Sequence, residues 1–201
     1  MAFSNFKNIQ QVIQKYPLRI KREGFLPDTL IELPAWFLEN INFSLKRQPA
    51  HTSEAFLCES FIFPFLQQVW KRHGTLALWS HQSLAYDDEL SGEPDYFVSA
   101  WRDEVIEKLI NTPLLAVAEA KKQDFDEGWG QCLAEMIACQ KMNQDDHITV
   151  YGIVSTGLFW EFGKLEANNF TKHPLSYSIS EPQKVFGNLD FVFAACEKQV
   201  Q

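Results

Sequence analysis

Asp95, Glu119 and Lys121 are the residues whose types and spacing could do chemistry. Leu114 to Ala118 is an unbroken apolar run, and in a strand such a run means that both faces are buried. Glu119 and Lys121 leave that run together. Residues i and i+2 of a strand point the same way, so these two charges are expected to share a face with Leu115 and Val117 while Ala120 turns to the other. Pro94 cannot donate to a ladder and suits the start of a strand. Asp95, Phe97 and Ser99 then line one face of that strand, Tyr96 and Val98 the other, and pairing of the two strands brings Asp95 toward Glu119.

Two carboxylates held close repel, so a buried pair either shares a proton or holds a cation. Oxygen-only ligands favour a hard ion, Mg²⁺ or Mn²⁺, which keeps waters and leaves room for a phosphate. Lys121 beside them could steady the negative charge that develops on the attacking water and around phosphorus. That is the chemistry of phosphodiester hydrolysis.

The arrangement Pro94-Asp95 followed by Glu119-Ala120-Lys121 resembles the PD-(D/E)XK nuclease superfamily. Within it, ITVYGIVSTGLFWEFGKLE looks like the tyrosine-glycine strand and tryptophan-bearing hairpin of the nuclease domain at the front of type I restriction motor subunits. The resemblance runs from about Ser53 to Glu166. It implies Asp95 and Glu119 as metal ligands, Lys121 as the catalytic lysine, a Mg²⁺ or Mn²⁺ cofactor, and DNA as substrate in defence, restriction or repair. It also implies a glutamine early in the next helix, where Gln131 stands, and an acid from an N-terminal helix. Glu54 is preferred for that acid, ahead of Glu59.

The elements that must position these residues read as follows. Phe3, Phe6, Ile9, Val12 and Ile13 recur at helical spacing up to Pro17, Leu18 to Leu26 alternates weakly like a strand, and Trp36, Phe37, Ile41 and Leu45 mark one stripe of a second helix. Lys46 to His51 reads as a loop. Thr52 or Ser53 caps a long apolar helix, kinked or restarted at Pro64 and stopped by Gly74. Leu76 to His81 is a strand, Gln82 to Gly92 an acidic turn, and Trp101 to Thr112 either a strand extension or a short helical excursion. After DFDEGWG comes a helix to about Met142, with Cys132, Leu133, Met136, Ile137 and Cys139 packed on the sheet and Gln131 and Glu135 at the stripe's edge. Ile148 to Ser155 and Leu158 to Leu165 form a hairpin around Thr156-Gly157, the Trp160/Phe162 face buried and the Glu161 face wet. Asn168 to Pro174 reads as a loop, Leu175 to Ile179 as a strand, and Glu181 to Lys198 as a closing helix. The sum is a single restriction-endonuclease-like α/β domain, a central mixed β-sheet flanked by helices, with residues 1–50 as a helical extension, 53–166 as the core and 175–198 closing it.

The chain of 201 residues carries 26 acids against 18 bases, a net charge of −8, which opposes bulk attraction to a polyanion. Lys71-Arg72-His73 reads as solvated surface charge, and Lys121, Lys122 and Lys141 are the basic residues expected near the pocket. Binding DNA therefore calls for a second copy or a protein partner. The four cysteines, Cys58, Cys132, Cys139 and Cys196, show no C-x-x-C pairing and read as buried free thiols. With no run approaching a membrane span, the expectation is a soluble cytoplasmic protein without membrane contact. From a different class comes the alternative of a catalytically silent module of the same fold, serving in nucleic-acid or protein binding.

Overall fold

Apolar runs of five to seven residues cannot bury both faces in a hairpin, so they collect in the middle of a large sheet that helices cover on each side. The computed structural model of the chain describes residues 3–47, 53–102, 110–122 and 124–200. In chain order it contains helix α1 (Ile9–Lys15), strand β1 (Arg19–Arg22), α2 (Ala35–Arg47), α3 (Glu54–Leu57) and α4 (Phe63–Trp70). There follow β2 (Leu76–Ser80), β3 (Leu84–Ala85), β4 (Ser91–Gly92), β5 (Tyr96–Ala100), β6 (Leu114–Ala120) and α5 (Phe125–Asn143). The chain then runs through β7 (Val150–Ser155), β8 (Phe159–Glu166), β9 (Asn169–Lys172), β10 (Tyr177–Ser178) and α6 (Pro182–Glu197).

The sheet has the order β1-β9-β8-β7-β6-β5-β2, with β10 also on β8. It is mixed: β6 runs parallel to β7 and β1 parallel to β9, the other pairs being antiparallel. One face packs on α2, α3, α4 and α6 through residues such as Phe37, Leu57, Phe65, Val185 and Phe193. The other packs on α5 and the N-terminal segment through Phe6, Val12, Trp129, Met136 and Phe170. This is an α/β sandwich of three layers.

Several elements differ from what the sequence pattern suggests, each for a tertiary reason. Asn168 to Pro174 is not a loop throughout, since β9 pairs with β8 and then takes β1 as its parallel neighbour. Trp36 and Leu45 stand exposed, and only Phe37 and Ile41 of the expected stripe are buried. The face of β8 that carries Glu161 is covered, because Glu161 Oε2 accepts a 2.6 Å hydrogen bond from Trp129 Nε1 and a 2.7 Å ion pair from Lys172 Nζ. The Lys71-Arg72-His73 cluster is tied to α6, with Arg72 Nε 2.7 Å from Asp190 and His73 between Asp190 and Glu197. Of the Trp101 to Thr112 and Lys46 to His51 expectations, residues 103–109 and 48–51 lie outside the described residues. All four cysteines are buried and free, and no helix among the described residues is long and apolar enough to cross a membrane.

Helix α5 begins earlier than its pattern suggests. Asp124 caps it by accepting from the backbone N–H groups of Asp126 and Glu127, so Gly128-Trp129-Gly130 lies within the helix rather than before it. Glycine in a helix weakens it by about 1 kcal/mol relative to alanine, and close packing explains both. A Cβ on Gly128 would sit 2.5 Å from Val154 Cγ1 and 3.0 Å from Lys121 Cγ, and one on Gly130 would sit 2.5 Å from the backbone nitrogen of Asn8. Every residue from Gly128 to Gln140 is consequently buried, between the sheet and the N-terminal segment. At the far end Asn143 accepts from Leu114 N–H at 2.6 Å and donates to Leu114 O at 2.8 Å, fixing the helix lengthwise against β6.

Candidate active site

Strand register puts the two candidate acids opposite each other. In the β5–β6 ladder Tyr96 faces Ala118 and Phe97 faces Val117, and one more step places Asp95 across from Glu119 on the same face. The next strand over continues the row, since His81 N–H donates to Asp95 O at 3.0 Å. Asp95 Oδ2 accepts a 2.8 Å hydrogen bond from Ala120 N–H, which locks that carboxylate against the end of β6.

Glu119 and Lys121 do share a face with Val117, but Leu115 belongs to the opposite layer. The reason is a β-bulge. Val98 pairs with Ala116 and Ser99 with Leu114, so Leu115 is an extra residue that shifts the alternation, and Leu114 takes its place on the α5 side.

Lys121 Nζ lies 2.9 Å from Glu119 Oε1, with the glutamate side chain only 6% exposed and the lysine 14%. Burial works against the lysine's charge, yet the carboxylates of Glu119, Glu54 and Asp95 outweigh it and hold its pKa above the ordinary value. Lys121 is thus a fixed cation, suited to stabilising negative charge and unsuited to taking up a proton. Burial raises the carboxyl of Asp95, opposed by the Ala120 hydrogen bond and by the charges of Lys121 and His81.

Gln131 stands in the second turn of α5, deeper than the opening turn, and is buried with no donor reaching its Oε1. One turn further on is Glu135, only 2% exposed and close enough to Glu119 for each carboxyl to act on the other's charge. Burial first, and then the neighbouring charges of Glu119 and Asp95, drive the Glu135 carboxyl well above its usual range. Neither Glu119 Oε2 nor Glu135 Oε2 receives an N–H or hydroxyl hydrogen bond, so the two carboxyls are left with a proton between them or a cation beside them. Glu135 is a site neighbour that sequence reasoning left on the edge of a packing stripe; its i+4 spacing from Gln131 was the signal.

Of the two helix acids, Glu54 is the one on the Lys121 side. Partial burial raises its pKa, against the nearby charge of Lys121 and with that of Asp95. Ser53 caps its helix, accepting from Phe56 N–H at 3.2 Å. Between α3 and α4 the chain makes a π-turn, with Phe63 N–H bonded to Cys58 O, and Pro64 follows without an N–H of its own. Glu54 and Glu59 face different surroundings, as residues five apart on a helix do: Glu59 lines a cleft with Ser80, His81 and Tyr96.

His81 is a second neighbour that spacing alone did not reveal. Its Nε2 is 3.5 Å from Asp95 Oδ1, its backbone φ is 50°, and Ser80 Oγ lies 2.8 Å from its Nδ1. Lys141, by contrast, is remote from Lys121. It lies at the end of α5 that Asn143 pins to Leu114, the opposite end of β6, over the ring of Tyr86 at 5.3 Å.

The donors fit a hard divalent cation in kind, being carboxylate and amide oxygens of which Glu119 Oε2 and Gln131 Oε1 are buried without a partner. As placed, no three His, Cys, Asp or Glu side chains among the described residues are grouped as metal ligands. Asp95 and Glu119 are the opposed carboxylates of the site, with Glu135 buried beside Glu119 and Glu54 at the rim. No protein-family model matches the chain, and no curated protein matches it. What fold and site define is a mixed α/β sandwich with two opposed acids and a half-buried lysine at one end of its central strands.

Proposed function

We propose that the protein is a metal-dependent nuclease that hydrolyses phosphodiester bonds of DNA, on the plan of the PD-(D/E)XK nucleases and similar to the nuclease domain of type I restriction motor subunits. The observation that carries this reading is Asp95 opposite Glu119 with Lys121 Nζ 2.9 Å from Glu119 Oε1. Asp95 and Glu119 would hold Mg²⁺ or Mn²⁺, with Glu54 approaching from the rim. When bound, the ion supplies polarisation of a phosphoryl oxygen and a more acidic water. Lys121, kept charged by its acidic neighbours, stabilises the negative charge that grows around phosphorus. Its pair with Glu119 also fixes the direction of both side chains. Gln131, buried with its Oε1 unpartnered, would supply an amide that orients the groups of the site.

The test is cleavage of DNA by the purified protein in Mg²⁺ or Mn²⁺, beside Asp95→Ala, Glu119→Ala and Lys121→Ala and with a chelator. Each variant is expected to lose about 100-fold or more, as removal of one transition-state contact does elsewhere, and the chelator to stop the reaction. Equal cleavage by all four proteins would assign the activity to a contaminant. No cleavage of any substrate, together with no metal binding by calorimetry, would leave the silent binding module as the reading.

A further inference from the structure

Beside Asp95 opens a cleft of about 460 Å³. Cys58 and Tyr96, both buried, line its inner part with the half-buried Phe63, and the exposed Ala55, Glu59, Ser80 and His81 form its rim. The rings of Phe63 and Tyr96 lie nearly parallel, 22° apart with centroids at 6.0 Å, and the His81 ring meets Tyr96 edge-on at 5.8 Å. Its rim reaches the site through His81, whose Nε2 is 3.5 Å from Asp95 Oδ1, while Tyr96, the next residue along the chain, turns to the other face of the sheet.

The chemistry of this cleft selects its occupant. Neither lysine nor arginine lines it, and Glu59 and nearby Asp95 repel a phosphate. The Phe63 ring, stacked on the buried Tyr96, offers a flat surface to a neutral planar ring, and one carboxylate at the rim accepts from an N–H on that ring's edge, as Glu and Asp accept from the amino group of cytosine. A nucleobase within a duplex turns its hydrogen-bonding edge inward to its partner, so it can enter only when unpaired or turned out of the stack. We propose that the cleft receives one unpaired nucleobase of the strand being cut, so that the protein acts on single-stranded or locally opened DNA; this rests on the nuclease reading above.

The experiment compares three DNAs of one sequence in Mg²⁺: a single strand, a blunt duplex, and a duplex with a few central mismatches. A 2-aminopurine in each reports base stacking by its fluorescence, independently of cleavage. Phe63→Leu removes the stacking ring and keeps an apolar side chain, while Ala55→Leu narrows the exposed mouth without adding a ring. Thermal unfolding of each variant checks that the fold is kept. Expected are cleavage of the single strand and the mismatched duplex about tenfold faster than the blunt duplex, quenching of 2-aminopurine by the unmodified protein, and loss of both preference and quenching in the two variants; one stacked base contributes about that factor. Equal cleavage of all three DNAs, or an unchanged preference in both variants, would overturn the base site and leave the nuclease reading intact. Quenching that the variants abolish, without cleavage of any DNA by the unmodified protein, would keep the base site and sink the nuclease reading. Neither cleavage nor quenching would end both.

Discussion

Glu135 on α5 and Glu119 on β6 are buried carboxyls that act on each other's charge across the interface between helix and sheet. Two acids there oppose the packing of that interface unless they hold a proton or a cation between them. The relationship has a measurable consequence in the absence of divalent ions. Both groups have pKa values raised on folding, by burial first. Below the unfolded-state value near 4.3 both states are protonated, and the folded state bears no penalty. As pH rises the unfolded chain releases its protons first, so the stability contributed by these groups falls with pH. Glu135→Gln, a neutral donor of similar shape, is expected to gain melting temperature relative to the unmodified protein between pH 5 and pH 8, with little difference at pH 4. A difference that does not change with pH would disprove the shared proton.

Lys121→Met tests the fixed cation. Loss of about 100-fold or more in cleavage is expected. Breaking a buried pair commonly costs about 3–5 kcal/mol, but Glu119 can take up a proton in place of its partner, so a loss of only about 1–3 kcal/mol in urea unfolding is expected. Full activity in this variant would remove Lys121 from the chemistry.

Glu54 and Glu59 separate by the side they face. Glu54→Gln is expected to weaken Mn²⁺ binding about tenfold in calorimetry, because its carboxylate acts on Lys121 and Asp95. Glu59→Gln, on the cleft side, is expected to leave the metal affinity unchanged. The reverse pattern would move the metal to the other side of Asp95.

Gly130→Ala is a test of the packing that seats α5. In an exposed helix this change stabilises by about 1 kcal/mol. Here the added Cβ would sit 2.5 Å from Asn8 N and 2.6 Å from Phe6 O, both backbone atoms, so a destabilisation of about 1–3 kcal/mol is expected. Gly74→Ala, where nothing lies within 4 Å, serves as the control and is expected to be near neutral. A stabilised Gly130→Ala would mean that the N-terminal segment does not pack on α5 in this way.

Charge sets the last expectation. The acids outnumber the bases by eight, and Lys121, Arg72 and Lys172 are each held by a carboxylate. A lone protomer is expected to bind duplex DNA weakly in physiological salt, and a second copy or a basic partner to strengthen binding by pooling cations. Sedimentation with and without DNA decides this: sub-micromolar binding by a monomer would rule the partner out.

The sequence by itself determined the layer architecture and the central strands. Leu114 to Ala118 is apolar enough to be a strand only where both faces are covered, and the segment from Glu181 carries a helical period that survives in α6. The positions of Asp95, Glu119 and Lys121 were legible because strand alternation and a proline boundary are local rules. What only the tertiary structure decided depends on contacts between distant segments. The bulge at Leu115 is set by the pairing of β6 with β5, where Val98 meets Ala116 but Ser99 meets Leu114, and it moves a side chain from one layer to the other. The strand at Asn169–Lys172 exists because β1, far away in sequence, supplies its outer neighbour. Glu135 and His81 reach the site because Asn143 fixes α5 lengthwise on β6 and because β2 lies beside β5. Lys141 is carried to the other end of β6 by that same helix direction. A helical or strand period fixes which way a side chain points; it says nothing about which distant residue it will meet.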